Sequence, residues 1–257
     1  PCRCACGPLT GAVSWWRRAS SEHTVGYPTS ANGASSFHLH WGGLPTDARL
    51  IEVAATLEVV EAPSVPELYF WALQAGFAEG RRRLGGAHLG LQWYSPHPGS
   101  TAVNWGGYAD RGGILEGTES SLPSATANPN TRDFSWEPLR RYRLEIAPGS
   151  RPGWWRGSVD GVAVRELHGG GDRLITPVMW SEVFARCDHP SVAVRWSELA
   201  AVTDDGRVVA PDRLSVTYQA TADGGCDNTS VVADGHGFLQ RTGTERLVPP
   251  GAVLAVG

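Results

Sequence analysis

The side chains of this chain whose type and placement could do chemistry are two glutamates, three histidines and a group of amides. Glu182 and Glu198 fall on separate stretches of alternating polarity, 178–184 and 192–199. Hydrolysis of a glycosidic bond needs such a pair about 5–9 Å apart, one carboxyl as acid and the other as base or nucleophile. His38-x-His40 sets two imidazoles on one strand face, about 7 Å apart at two residues of strand rise, and His88 could complete a three-histidine metal site. Histidines on a wet strand face are more often solvated than ligating, so no metal is expected from them. Asp204-Asp205 and Asp227-Asn228 could supply oxygens to calcium, although without the spacing of an EF-hand loop. No other cofactor is expected. The H-E-x-x-H pattern of zinc peptidases and the G-x-S-x-G elbow of serine hydrolases do not occur.

Composition narrows the field further. All 22 basic residues among the 257 are arginine, so a lysine Schiff base, a P-loop lysine and a Ser-Lys dyad are excluded. A net charge of −4 argues against nucleic acid as the partner, because phosphate binding needs a concentrated positive field. No run of about 18 uncharged apolar residues could span a bilayer as a helix, and no membrane partner is expected. Cys187 and Cys226 both sit beside turn residues and suit a disulfide closing 39 residues of chain, which implies an oxidising compartment and an extracellular, secreted or surface protein. Cys2, Cys4 and Cys6 lack the C-x₂₋₄-C spacing of a zinc site.

The elements that must carry these residues are strands. Period-two alternation recurs at 37–41, 50–60, 68–77, 88–94, 102–108, 142–147, 154–160, 162–167, 178–184, 192–199 and 214–220, with shorter runs beyond and almost no helical period. That pattern predicts an all-β fold, an antiparallel two-sheet sandwich or jelly roll, over 36–257 as one domain, preceded by an irregular segment 1–35. Alternation also sorts the faces. Phe37, Leu39 and Trp41 oppose His38 and His40; Leu89, Leu91 and Trp93 oppose His88, Gln92 and Tyr94; Val103 and Trp105 oppose Asn104 and Tyr108. Gln74, His88, Gln92, Tyr94, Asn104 and Tyr108 would therefore share a wet, aromatic-flecked face suited to sugar hydroxyls. Most of the 11 tryptophans, including Trp71, Trp105, Trp180 and Trp196, are read as core, whereas Trp154-Trp155 must point one ring outward. The long Gly/Ser/Pro/Asn-rich stretch between Tyr108 and Arg140 is expected to frame the wet face.

The succession Tyr69-Phe-Trp-Ala-Leu-Gln-Ala-Gly-Phe77, His88-Leu-Gly-Leu-Gln-Trp93, Tyr142-Arg-Leu-Glu-Ile146 and Gly153-Trp-Trp-Arg-Gly-Ser-Val-Asp-Gly161 resembles the concanavalin-like (LamG-like) sandwiches of extracellular bacterial proteins. The resemblance covers about residues 36–200 and implies a fold rather than an activity. A second likeness names a mechanism. Leu73-Gln-Ala-Gly76, then Leu91-Gln-Trp-Tyr-Ser-Pro96, then Met179-Trp-Ser-Glu-Val183 is similar to the order of glutamine and glutamate in glutamic peptidases. It implies Glu182 as general acid and base on a water and Gln74 as stabiliser of the tetrahedral oxyanion. The chain departs from that family in lacking its Trp-x-Glu-Trp element, and Glu182 shares a strand side with Val178, Trp180 and Phe184, which reads as a core side. The expectation is thus a carbohydrate-binding sandwich, beside two alternatives: a polysaccharide-cleaving or glutamic-peptidase-like enzyme, or an interaction module without a small ligand.

Overall fold

The computed structural model describes residues 23–257, so Cys2, Cys4 and Cys6 lie outside the described residues. Sixteen strands follow one another: β1 Ser35–Gly42, β2 Leu50–Glu61, β3 Tyr69–Glu79, β4 Arg82–Trp93, β5 Thr101–Ala109, β6 Thr131–Asp133, β7 Arg141–Pro148 and β8 Trp154–Val159, then β9 Val162–His168, β10 Arg173–Val183, β11 Ala193–Thr203, β12 Val208–Val209, β13 Arg213–Tyr218, β14 Thr229–Ala233, β15 Phe238–Thr242 and β16 Val253–Ala255. Their pairings, all antiparallel, form two runs. One layer has the order β16-β13-β1-β10-β3-β4-β5-β6 and the other β14-β15-β11-β2-β7-β8-β9, with β12 hairpinned onto β11. A single bridge, Leu174 to Leu50, joins the layers through the ladder. The architecture is the expected all-β sandwich.

Alternation explains why the layers stack. Phe37 and Leu39 of β1, Trp71, Leu73 and Phe77 of β3, Leu89 and Leu91 of β4 and Val103 and Trp105 of β5 turn one way into a shared core. From the second layer Leu57, Val59, Tyr142, Leu144, Trp155 and Trp196 meet them. Burying side chains of this size stabilises by roughly 1.5–3 kcal/mol each. Among the buried polar residues, the Gln240 amide is held by three hydrogen bonds. The Gln240 oxygen accepts from Trp196 Nε1 (2.8 Å) and Ser181 Oγ (2.9 Å), while its Nε2 donates to Phe37 O (2.9 Å). This amide, 1% exposed, ties β15 of one layer to β1 and β10 of the other.

Two features depart from the sequence expectation. Strand β10 carries one residue more than its partner, since Ile175 pairs with Gly76 but Val178 pairs with Gln74. Thr176 takes the extra position with φ 48°, and Pro177, which has no N–H for the ladder, follows it. This bulge resets the parity of the strand. Leu174 and Met179, five residues apart, both face the core, and Trp180 and Glu182 face out. The second departure is the stretch after β5, most of which seals an edge of the sandwich, with only its first residues, at Asp110, reaching the outer face. His168 N–H donates to Glu116 O (2.8 Å), Thr118 N–H donates to Glu166 O (2.9 Å), and Gly117 bridges Leu167. The stretch then returns to β5 as β6.

Cys187 and Cys226 form the expected disulfide, with Cα atoms 5.5 Å apart. By chain-entropy reasoning a closed loop of this length stabilises by roughly 3–4 kcal/mol. No helix among the described residues is long and apolar enough to cross a membrane.

Candidate functional site

The outer face of β1, β10, β3, β4 and β5 is ruled into rows by the strand register. Ser36, Glu182, Phe70 and Gln92 make one row, and His38, Trp180, Ala72, Gly90 and Asn104 the next. A third row holds His40, Val178, Gln74, His88 and Gly106, and a fourth ends at Gly86 and Tyr108. Over this face lies an open groove of about 500 Å³. Glu182, Asn32 and His38 line one end, Trp180, Gln74 and His88 the middle, and Tyr108, Arg83 and Asp110 the other end. The floor is kept low by residues without side chains. A Cβ on Gly90 would sit 2.0 Å from the Trp71 carbonyl oxygen, so only glycine lets β4 approach β3 there.

Hydrogen bonds fix the polar groups in this groove. Trp180 Nε1 donates to Gln74 Oε1 at 3.1 Å. An indole N–H can only donate, so it sorts the two ends of the amide and leaves the Gln74 NH₂ as a donor. Asn32 Nδ2 donates to Glu182 Oε1 at 2.8 Å. Burial raises the Glu182 carboxyl above the ordinary carboxylate range, and the Asn32 bond offsets part of that rise. Burial has the opposite effect on the imidazoles: His38 and His88 are both pushed down to about 4, the former also by neighbouring His40. At neutral pH the groove therefore holds neutral imidazoles beside a carboxyl that ionises reluctantly. Phe70, His88 and Trp180 pack edge to face with centroids 4.9–5.6 Å apart and form a rigid aromatic wall.

The residues expected from sequence divide. Gln74, His88, Tyr108 and Glu182 come together in the groove. Gln92 and Asn104 share its sheet face but are 7% and 5% exposed, and Asn104 Nδ2 is spent on Thr131 Oγ1 (2.9 Å) because β6 covers that edge. Tyr94 lies past the end of β4, edge-on to His97. Glu198 is on the opposite outer face of the sandwich, bound to Arg141 (2.7 Å) and Thr56 (2.7 Å), so it cannot partner Glu182 across two stacked sheets. His38 and His40 stack with centroids 5.7 Å apart, and no group of three metal-binding side chains occurs among the described residues. Trp154 is the outward ring of its pair, but Arg151 lies 3.9 Å over it and His168 5.3 Å from it. Trp180, read as core, belongs to a separate apolar cluster on the groove side with Phe70, Ala72 and Val178. Asn32 went unrecognised because it lies in the irregular segment before β1. Pro177 inside a strand pattern was the available signal for the bulge.

No family model and no curated protein matches the chain. Solved structures similar to it include Scytalido-glutamic peptidase with a peptide-based transition-state analogue, at 10% identity and TM-score 0.47, covering 85% of this chain and 99% of that one. SCP-B, a member of the eqolisin family of peptidases in complex with the tripeptide Ala-Ile-His, matches at 10% identity and TM-score 0.45 over the same shares. These likenesses assign nothing to this chain by themselves.

Proposed function

We propose that the groove hydrolyses an acyl bond, with the amide bond of an extended peptide as substrate, using Glu182 to activate water and Gln74 to hold the oxyanion. The observation that carries this is the pairing, in one groove, of a desolvated glutamate with one oxygen occupied and an amide whose NH₂ is oriented by Trp180. The register offsets Gln74 and Glu182 by four residues along adjacent strands, about 13 Å between backbones. Two long side chains reduce that to room for a scissile carbonyl and a water.

Ionised Glu182 takes a proton from water through its free oxygen as the water oxygen bonds to the carbonyl carbon. Gln74 Nε2–H donates to the oxyanion, and Glu182 then returns the proton to the departing nitrogen as the C–N bond breaks. A two-carboxylate glycosidase fits less well. The other acid lining the groove, Asp110, follows β5, three strands from β10, about 14 Å laterally and paired 3.7 Å from Arg83. Of the contacts predicted for carbohydrate, Gln74, His88 and Tyr108 line the groove, while Gln92, Tyr94 and Asn104 do not. The disulfide suits an oxidising, extracellular setting.

Incubating the protein with denatured polypeptides and mapping products by mass spectrometry tests the reading. Glu182→Gln is expected to lower turnover by at least about 10²–10⁴-fold with little change in thermal stability. A wild-type protein that cleaves no peptide between pH 3 and 8, or a variant of undiminished activity, would refute it.

A further inference from the structure

Glu182 is held by a residue from outside its own sheet, and the way that residue is seated is unusually explicit. Asn32 sits three residues before β1, exposed, with its Oδ1 accepting from Ala34 N–H (3.2 Å) and lying 2.9 Å from Ser30 Oγ. The oxygen is therefore engaged, and the NH₂ is the end presented to Glu182 Oε1.

The segment carrying Asn32 is tied down along its length to two loops. Thr24 N–H donates to Asp227 Oδ1 (2.9 Å), Gly26 N–H to Asp188 Oδ1 (3.1 Å), and Thr29 N–H to Gly224 O (3.0 Å). In return Cys187 N–H donates to Gly26 O (2.8 Å) and Cys226 N–H to Ser35 Oγ (2.9 Å). These are the loops joined by Cys187–Cys226. The chain 24–34 thus lies across a stapled cradle and delivers one amide to one carboxyl.

We infer that Asn32 is a positioning residue for Glu182, and that residues 24–34 form a latch whose seat on the disulfide-joined loops keeps one carboxyl oxygen engaged and the other free in the groove. The inference rests on the reading of Glu182 as the water-activating group. Removing the amide leaves the ionised carboxyl without its donor, which makes ionisation harder. Of the groups facing Glu182 from the flanking strands, Ser36 and His38 of β1 and Phe70 and Gln74 of β3, His38 alone titrates, and it stays neutral down to about 4.

The test is an NMR titration of the Glu182 carboxyl carbon, run beside the pH profile of peptide hydrolysis. Asn32→Ala should move the carboxyl midpoint up by about one pH unit and move the acid limb of kcat/KM with it, while KM stays within about twofold. Asn32→Asp, which replaces the donor by a like charge, should move both further. The latch is probed at Gly224, where a Cβ would lie 2.2 Å from Ser30 N. Gly224→Ala should reproduce the displacement and add nothing to that of Asn32→Ala. If φ +81° at Gly224 makes that variant too unstable, Asp227→Asn, which weakens the tie to Thr24, should give a smaller displacement of the same sign. A midpoint that stays put in Asn32→Ala overturns the positioning role, and additive displacements overturn the latch. Because the titration needs no substrate, a displaced midpoint in a protein that hydrolyses nothing would leave the latch standing and sink the hydrolase reading alone.

Discussion

The indole N–H of Trp180 has one bond to give, and giving it to Gln74 decides which end of that amide meets the groove. Trp180→Phe keeps most of the apolar packing against Phe70 but frees the amide to rotate. The expected outcome is a fall in kcat of about tenfold with KM nearly unchanged, since only a transition-state contact is loosened; steady-state kinetics on a cleaved peptide would show it. The histidines make a prediction of a different kind. His38 and His88 fold as neutral imidazoles held at about 4, below their ordinary 6.5. Their contribution to stability is complete above about pH 6.5 and is lost as the pH falls through 4, roughly 3 kcal/mol for each. Glu182, displaced upward, works in the opposite sense: its share is complete at acid pH and is lost as pH rises through its raised value. Denaturant unfolding of a His38→Phe/His88→Phe variant should therefore show a smaller difference between pH 7 and pH 4.5 than the parent. An equal difference would mean that other groups govern acid stability.

At the scale of elements, the bulge in β10 decides which residues belong to the groove. Without its extra residue, the alternation that starts at Leu174 would send Trp180 and Glu182 inward. Thr176 adopts φ 48° to make the bulge, a conformation that is costly for a β-branched residue. Thr176→Gly should thus be neutral or stabilising by up to about 1 kcal/mol in thermal unfolding, whereas the same change at an ordinary strand position costs about that much. The sequence told most where alternation ran unbroken. In β1 and β5, and in β4 from Gly85 onward, the inward sets Phe37/Leu39, Val103/Trp105 and Leu89/Leu91 were legible because the parity is unbroken over those stretches, the shift in β4 falling before Gly85. Strand β10 was misread because its outward face is apolar as well: Val178 and Trp180 pack against Phe70 and Ala72 across the sheet, so polarity did not distinguish the two sides. Glu198 could not be placed from sequence for another reason. Alternation gives the face of a strand but not the layer it joins, and β11 belongs to the layer opposite β10.

Across the described residues, the two layers are held by a core that runs from Trp41 to Phe238, by the Gln240 amide between them and by the Cys187–Cys226 disulfide at the end near Glu182. The catalytic reading places its acid close to that rigid end, and the groove opens away from it toward Tyr108, which is 58% exposed. The stretch that closes the far edge also deals with a hazard common to open sandwiches. Strand β9 has β8 on one side, and its other side would offer a row of unpaired main-chain groups to any passing strand. Residues 116–118 occupy that row instead, and Ser120 Oγ donates to Val164 O beyond them. Protection against self-association therefore depends on a connection and not on the strand itself. A cut at the exposed Gly112–Gly113 turn would free one end of this cover, and light scattering after limited proteolysis should then report oligomers growing through β9, with the groove still intact on its own face.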